Sequence, residues 1–150
     1  MNKLVLDVQG FTIENNKFIP KELAAYDGTK ICHYIFRPPF DIQHLPPDLC
    51  KQANWLIHNH HCICWNEGYT PIYKFADIVK NLTGKVDNVY VKGKEKSEYI
   101  RKYSLKPVLE FEDKPALQKG QPECFYHLKS QCICALSNVF YLYNNFIMIE

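Results

Sequence analysis

The chain has 150 residues, of which 47% are hydrophobic and 23% are charged, and 18 Lys and Arg against 16 Asp and Glu leave a formal net charge of +2. These values predict one ordinary globular domain over residues 1–150, and the charge balance does not by itself indicate a nucleic-acid-binding protein. No apolar run approaches the roughly 20 residues that span a bilayer, and the first residues lack the features of a signal peptide. We therefore expect an intracellular protein without membrane contact.

Three β-strands open the predicted order of elements. The first is a continuous apolar run that closes at Gly10, and the third alternates apolar and polar residues. Asp27-Gly28 is a strong hairpin signal between the second and third strands. The predicted spans are 3–9, 18–26 and 30–36. This part of the chain predicts a three-stranded antiparallel meander.

The rest of the chain alternates helices and strands. Apolar residues near helical spacing predict the helices, and Pro71 suits the first turn of the second one. The predicted helices span 48–59, 72–82, 94–103 and 132–146, and the predicted strands span 88–91 and 107–109. The order indicates an α/β fold, in which two parallel strands extend the meander and helices cover both faces of a mixed sheet.

This element order resembles the RNase H-like fold in its proofreading-exonuclease branch. Proteins of that branch end their first strand with Asp-x-Glu, where this chain has Asp7-Val8-Gln9, and they carry an Asp in the last helix, where it has Asn138. Two-metal nucleases hold their Mg²⁺ ions with several carboxylates, and amides replace these poorly. The resemblance therefore implies a catalytically degenerate exonuclease, with Asp7, Gln9 and Asn138 at the degenerate positions.

A second set of residues follows the order Glu, His, His, Cys, His, Cys. Its members are Glu22, His33, His61, Cys124, His127 and Cys134. The order resembles the signature of the Maelstrom domain, a degenerate exonuclease-like family of the piRNA silencing pathway. The chain is also similar to small uncharacterised domains of arthropod genomes and mobile elements. The Maelstrom resemblance implies single-stranded RNA or a silencing-pathway protein as the partner.

The spacing Cys124-x2-His127-x6-Cys134 is compatible with three ligands of a structural, tetrahedral Zn²⁺ ion. We expect His61 or Glu22 as the fourth ligand, then His33, while the neighbouring Cys132 could contribute its thiol instead. The competing interpretation is that these cysteines are small buried hydrophobic residues. Seven cysteines without an export signal make a disulfide framework the less expected use.

A basic stretch follows the predicted strand at 88–91. It could contact backbone phosphates, although a run of this kind is more often a solvated helix face. The candidate nucleic-acid-binding residues are Lys92, Lys94, Lys96, Arg101 and Lys102.

Three functions remain open on this reasoning. The first is a catalytically degenerate zinc domain that binds single-stranded RNA or a silencing-pathway protein. The second is a ribonuclease that cleaves single-stranded RNA without the standard acids, for which Asp7, Glu22 and His33 are the residues to test. The third is a non-enzymatic protein-interaction module of viral or transposon origin, which the near-neutral charge favours.

Overall fold

The computed structural model describes residues 2–13, 17–111, 115 and 132–147, which form a six-stranded mixed sheet with four α-helices. The strands are β1 (Lys3–Ile13), β2 (Lys17–Tyr26), β3 (Ile31–Arg37), β4 (Thr70–Pro71), β5 (Asn88–Val91) and β6 (Val108–Glu110). The helices are α1 (Pro47–Asn59), α2 (Phe75–Gly84), α3 (Lys94–Arg101) and α4 (Ala135–Leu142). Short 3₁₀ turns span Ile42–His44 and Ile72–Lys74, and a π-helical turn, Tyr143–Ile147, continues α4. Within these ranges, no helix combines the length and the apolar character that crossing a membrane requires.

The strands lie in the order β4-β3-β2-β1-β5-β6. β1 pairs antiparallel with β2 and β2 with β3, whereas β5 runs parallel to both β1 and β6. The predicted meander with two added parallel strands is thus confirmed. The prediction of five strands missed β4, whose two residues pair parallel with the end of β3. Two residues are too few to show a strand period in the sequence. The last helix begins at Ala135 rather than at 132.

Helices cover both faces of the sheet, as the alternation along β1 requires. Leu4 and Leu6 belong to a core cluster with residues of α2 and α3, whereas Val5 belongs to a second cluster with residues of α4. A third cluster, around Phe11 and Trp65, packs against α1. Because successive side chains of a strand point to opposite faces, a buried apolar run such as 3–9 indicates a strand that is covered on both sides.

A β-bulge interrupts the pairing of β1 with β2. Gln9 lies opposite Glu22, and the next residue, Gly10, lies opposite Pro20, so Lys21 is the extra residue of the bulge. A Cβ atom at Gly10 would collide with the carbonyl of Ile19 on β2, which explains the glycine at this crossing. Pro20 lacks a backbone N–H, and such a residue is tolerated in a strand at a bulge.

The side chain of Lys21, the extra residue, lies inside the protein, where the residue is only 1% exposed. Its ammonium group donates to the carbonyls of Phe36 (3.0 Å), Trp65 (2.6 Å) and Glu67. Three acceptors satisfy all three N–H donors of a lysine, which allows the charge to be buried. Lys21 therefore connects β2 with the end of β3 and with the loop at 65–67.

The structure joins Cys62 and Cys132 in a disulfide with their Cα atoms 6.0 Å apart. For these two residues this corrects the expectation of free thiols or metal ligands, whereas Cys32, Cys50, Cys64 and Cys134 are thiols. An odd number of cysteines does not exclude a single pair, and which two meet depends on the fold. In this bond Cys132, an alternative zinc ligand, has no thiolate to offer a metal.

Replacing Lys21 with Met is expected to lower the free energy of unfolding by about 2–4 kcal/mol, because buried carbonyls lose their donor. Urea titration measures the change, and Lys17→Met, at an exposed lysine of the same strand, is the matched control. Equal stability of the two variants would contradict the structural role of Lys21.

The same pair of variants gives a dependence on pH. Burial lowers the pKa of Lys21 from 10.5 to about 8, with Glu67 and Cys64 acting in the opposite direction. Between these values the unfolded chain binds more protons at this position than the folded protein. The Lys21 contribution to the free energy of unfolding therefore rises with pH from about 8 to 10.5, and this rise should be lost in Lys21→Met but not in Lys17→Met.

Candidate functional site

A cavity of about 500 Å³ lies where β5 ends, beside β1 and beneath the start of α3. In α/β sheets, ligands commonly bind at the carboxyl ends of parallel strands. The cavity is lined by Asp7, Gln9, His60, Lys92, Gly93, Lys94, Glu95, Lys96, Ile133, Asn138, Tyr141 and Leu142. These residues come from β1, from α3 and the turn before it, from the end of α1, and from α4 and the residues that precede it.

The carboxylate of Asp7 is the centre of a buried polar network in this cavity. One oxygen, Oδ1, accepts from the ammonium of Lys96 at 3.1 Å. The other, Oδ2, accepts from the side-chain amides of Gln9 (3.0 Å) and Asn138 (2.9 Å). Asp7 itself is 3% exposed, so these donors replace the water that a free carboxylate would bind.

The structure therefore brings together Asp7, Gln9 and Asn138, the three positions that the exonuclease resemblance predicts to be degenerate. It adds Lys96, which the sequence assigns to a phosphate-binding surface and whose ammonium instead approaches the carboxylate. Both oxygens of Asp7 face N–H donors, and an amide offers a hard divalent cation a weaker ligand than a carboxylate does. The arrangement favours a fixed, neutralised carboxylate over a two-metal centre.

The basic candidates divide into two groups. Lys92, Lys94 and Lys96 line the cavity. Arg101 and Lys102 are not among the lining residues; Arg101 donates to the carbonyl of Val108 (3.0 Å), and the ammonium of Lys102 lies 5.5 Å from the centre of the Tyr99 ring. With Asp7 and Glu95 as the lining carboxylates, three lysines leave the cavity wall with a net positive charge.

The opposite wall is largely apolar, and sequence reasoning did not identify its residues. Ile133, Tyr141 and Leu142 line it together with His60. The backbone N–H of Ile133 donates to the carbonyl of His60 at 2.8 Å, which joins the end of α1 to the approach to α4. The position of Tyr141 could have been predicted from its spacing to Asn138, because residues three apart in a helix share a face.

Glu22 anchors α4 at one edge of the site. It is fully buried, and its carboxylate accepts from the first backbone N–H of α4, at Ala135 (2.9 Å). His33 Nε2 lies 2.7 Å from the other oxygen, and the thiol of Cys134 lies 3.8 Å from it. Three of the six signature residues, Glu22, His33 and Cys134, thus meet in the structure.

The other predicted metal ligands are placed differently or lie outside the described residues. His61 is fully buried; its ring packs edge-on against Phe11 at 4.8 Å, and its Nδ1 accepts from the N–H of Ile63 at 3.2 Å. Cys124 and His127 fall outside the described ranges. Across the residues that the structure does describe, no three His, Cys, Asp or Glu side chains are arranged to hold a metal ion.

No family model matches the chain, and neither does any curated protein or solved structure. Function therefore has to be inferred from the side chains of the site, since a fold alone does not determine it.

Introducing two acids into the Asp7 network is expected to create a divalent-cation site. In the Gln9→Glu/Asn138→Asp variant three carboxylates crowd together, so the melting temperature should fall without metal and rise on addition of Mn²⁺ or Mg²⁺. At about 100 times Kd, cation binding adds about 2.7 kcal/mol, or about 5–10 °C in melting temperature.

The matched control is Gln43→Glu/Asn144→Asp, which makes the same charge change at two exposed positions. Thermal unfolding with and without cation distinguishes the two variants. If they responded alike to the cation, the amides of Gln9 and Asn138 would not occupy positions suited to metal ligands.

Proposed function

We propose that this chain is an RNase H-like, exonuclease-type domain whose catalytic centre is degenerate and whose cavity binds single-stranded RNA. The observation that carries the proposal is the saturation of Asp7 by Lys96, Gln9 and Asn138. The antiparallel meander joined to two parallel strands, with helices on both faces, supports the fold assignment.

The two walls of the cavity match the two parts of a nucleotide. Lys92 and Lys94 supply ammonium groups for phosphate oxygens, and Ile133, Tyr141 and Leu142 supply an apolar surface against which a base can pack. A base reaches such a wall only when it is unstacked from its neighbours. This requirement favours single strands over a duplex, in which both faces of each base are covered.

Neutralising the cavity lysines is expected to weaken RNA binding. With Lys92→Gln/Lys94→Gln, the affinity for a single-stranded oligonucleotide of about 12 nucleotides should fall at least about tenfold. The slope of log K against log salt should also decrease by about 0.7 for each phosphate contact that is lost. Fluorescence anisotropy between about 50 and 200 mM salt measures both quantities.

Arg101→Gln/Lys102→Gln is the matched control, because it removes two charges of the same basic stretch outside the cavity lining. An equal loss of RNA affinity in the two double variants would indicate that RNA binds along the whole surface of α3 and not in the cavity. Cleavage of the oligonucleotide that Asp7→Asn abolishes would support the atypical ribonuclease instead. Absence of RNA binding, together with a salt-insensitive protein partner, would support the protein-interaction module.

The proposal includes a structural zinc ion beside the Glu22 carboxylate. Glu22, His33 and Cys134 bring oxygen, nitrogen and sulfur donors from two strands and the N-cap of α4 to one place. These are ligand types that zinc accepts, but the three side chains are not by themselves arranged to hold an ion, so the site needs ligands from outside the described residues. Cys134, Cys124 and His127 would supply three ligands of the tetrahedral ion, and Glu22, His33 or His61 the fourth. A zinc ion there would tie the segment before α4 to the sheet and stabilise the folded state directly.

Elemental analysis of the purified protein is expected to give one zinc per chain, with less than half of that in Cys134→Ser. Cys50→Ser is the matched control, because Cys50 is a free, half-buried cysteine in α1, away from Glu22. A wild-type protein that lacks zinc after purification in zinc-supplemented buffer would restrict these cysteines to packing and disulfide roles.

A further inference from the structure

We propose that the Cys62–Cys132 disulfide is a redox latch on the apolar wall of the cavity, so that the oxidised protein binds single-stranded RNA more tightly than the reduced protein. This inference rests on the proposed function of the cavity. The bond connects the turn after α1 with the segment that leads into α4, and these are two of the segments that form the cavity.

The latch is adjacent to the wall in sequence and in space. His60 lies two residues before Cys62, and Ile133 directly follows Cys132; both line the cavity. The hydrogen bond from Ile133 N–H to the carbonyl of His60 (2.8 Å) runs beside the disulfide, so the two connections hold the same pair of segments together. With the disulfide reduced, the covalent connection is lost and the two segments are held by non-covalent contacts, of which this hydrogen bond is one.

The backbone conformation at Cys62 is unfavourable, and this favours relaxation of the turn once the disulfide is reduced. Cys62 has φ of +60°, the left-handed region that a residue with a Cβ adopts only at an energetic cost. Its N–H bonds to the carbonyl of Leu56 at 3.3 Å, the same acceptor that receives the N–H of His60 at 3.0 Å. Without the bond to Cys132, the turn from His60 to Cys62 can release this conformation and move its part of the wall.

The chemistry is a thiol–disulfide exchange. Two thiols of a reductant such as glutathione give up two electrons and two protons in total, the Cys62–Cys132 bond breaks to two thiols, and the reductant leaves as its own disulfide. Cys62 is 0% and Cys132 3% exposed, so the attacking thiolate reaches the bond only after local opening. The exchange between the oxidised and the reduced form is therefore slow, and the redox potential of the surroundings determines which form is populated at equilibrium.

The test compares wild-type protein equilibrated in oxidised and in reduced glutathione, with peptide mapping to verify the Cys62–Cys132 link. Binding of fluorescein-labelled oligouridylate is expected to weaken about fivefold to tenfold on reduction, as for a site that is competent in only a fraction of the molecules. Cys132→Ser should bind like the reduced protein in both buffers, and Cys50→Ser should respond like wild type. Since wild-type protein is compared with itself, the result does not depend on the folding of a variant.

Hydrogen exchange gives a readout that needs no RNA. Amides at 60–63 and at 132–135 are expected to exchange faster in the reduced protein, whereas those of β2 should not change. Equal exchange in the two states, or equal RNA affinity, would overturn the latch. If the protein bound no RNA in either state, the proposed function would fail, and redox-dependent exchange at these two segments alone would show whether the latch exists.

Discussion

The docking of α4 on the sheet is the constraint on which the site depends. Two carboxylates on the same face of neighbouring strands, Glu22 and Asp7, are buried and must find donors, and α4 provides one for each. Glu22 accepts the first N–H of the helix, where the helix dipole favours a negative charge, and Asp7 accepts the side chain of Asn138 one turn later. Together these contacts fix the axial position and the rotation of α4, which places Tyr141 and Leu142 on the cavity wall.

The bulge in β2 lies directly beside Glu22. One extra residue in a strand changes which side chains face which surface. Glu22 and Gln9 form the last regular pair before the bulge, and Glu22 lies on the face of α4, whereas Lys21 reaches the carbonyls of Phe36 and Trp65. The carboxylate that anchors α4 and the lysine that holds the loop after α1 are therefore consecutive residues at this irregularity.

Regular elements could be predicted from the sequence because their signals are local. Strand β5 was predicted at its observed bounds, and the antiparallel meander and the parallel strands were predicted with correct pairing directions. The site could be predicted only in part. Gln9 and Asn138 were identified by resemblance, but the ion pair of Asp7 with Lys96 joins residues 89 positions apart. The Cys62–Cys132 bond likewise depends on chain geometry that no spacing rule contains.

That bond also divides the chain into a covalent ring and two arms. The ring runs from residue 62 to 132, a separation of 70 positions, and carries β4, α2, β5, α3 and β6. The arms carry the meander and α1 on one side and α4 on the other. Closing a ring of this size removes about 4 kcal/mol of chain entropy from the unfolded state. The network around Asp7 is therefore a contact of both arms with the ring, through Lys96, and a proteolytic cut within the ring would leave a single covalent molecule with its arms still joined.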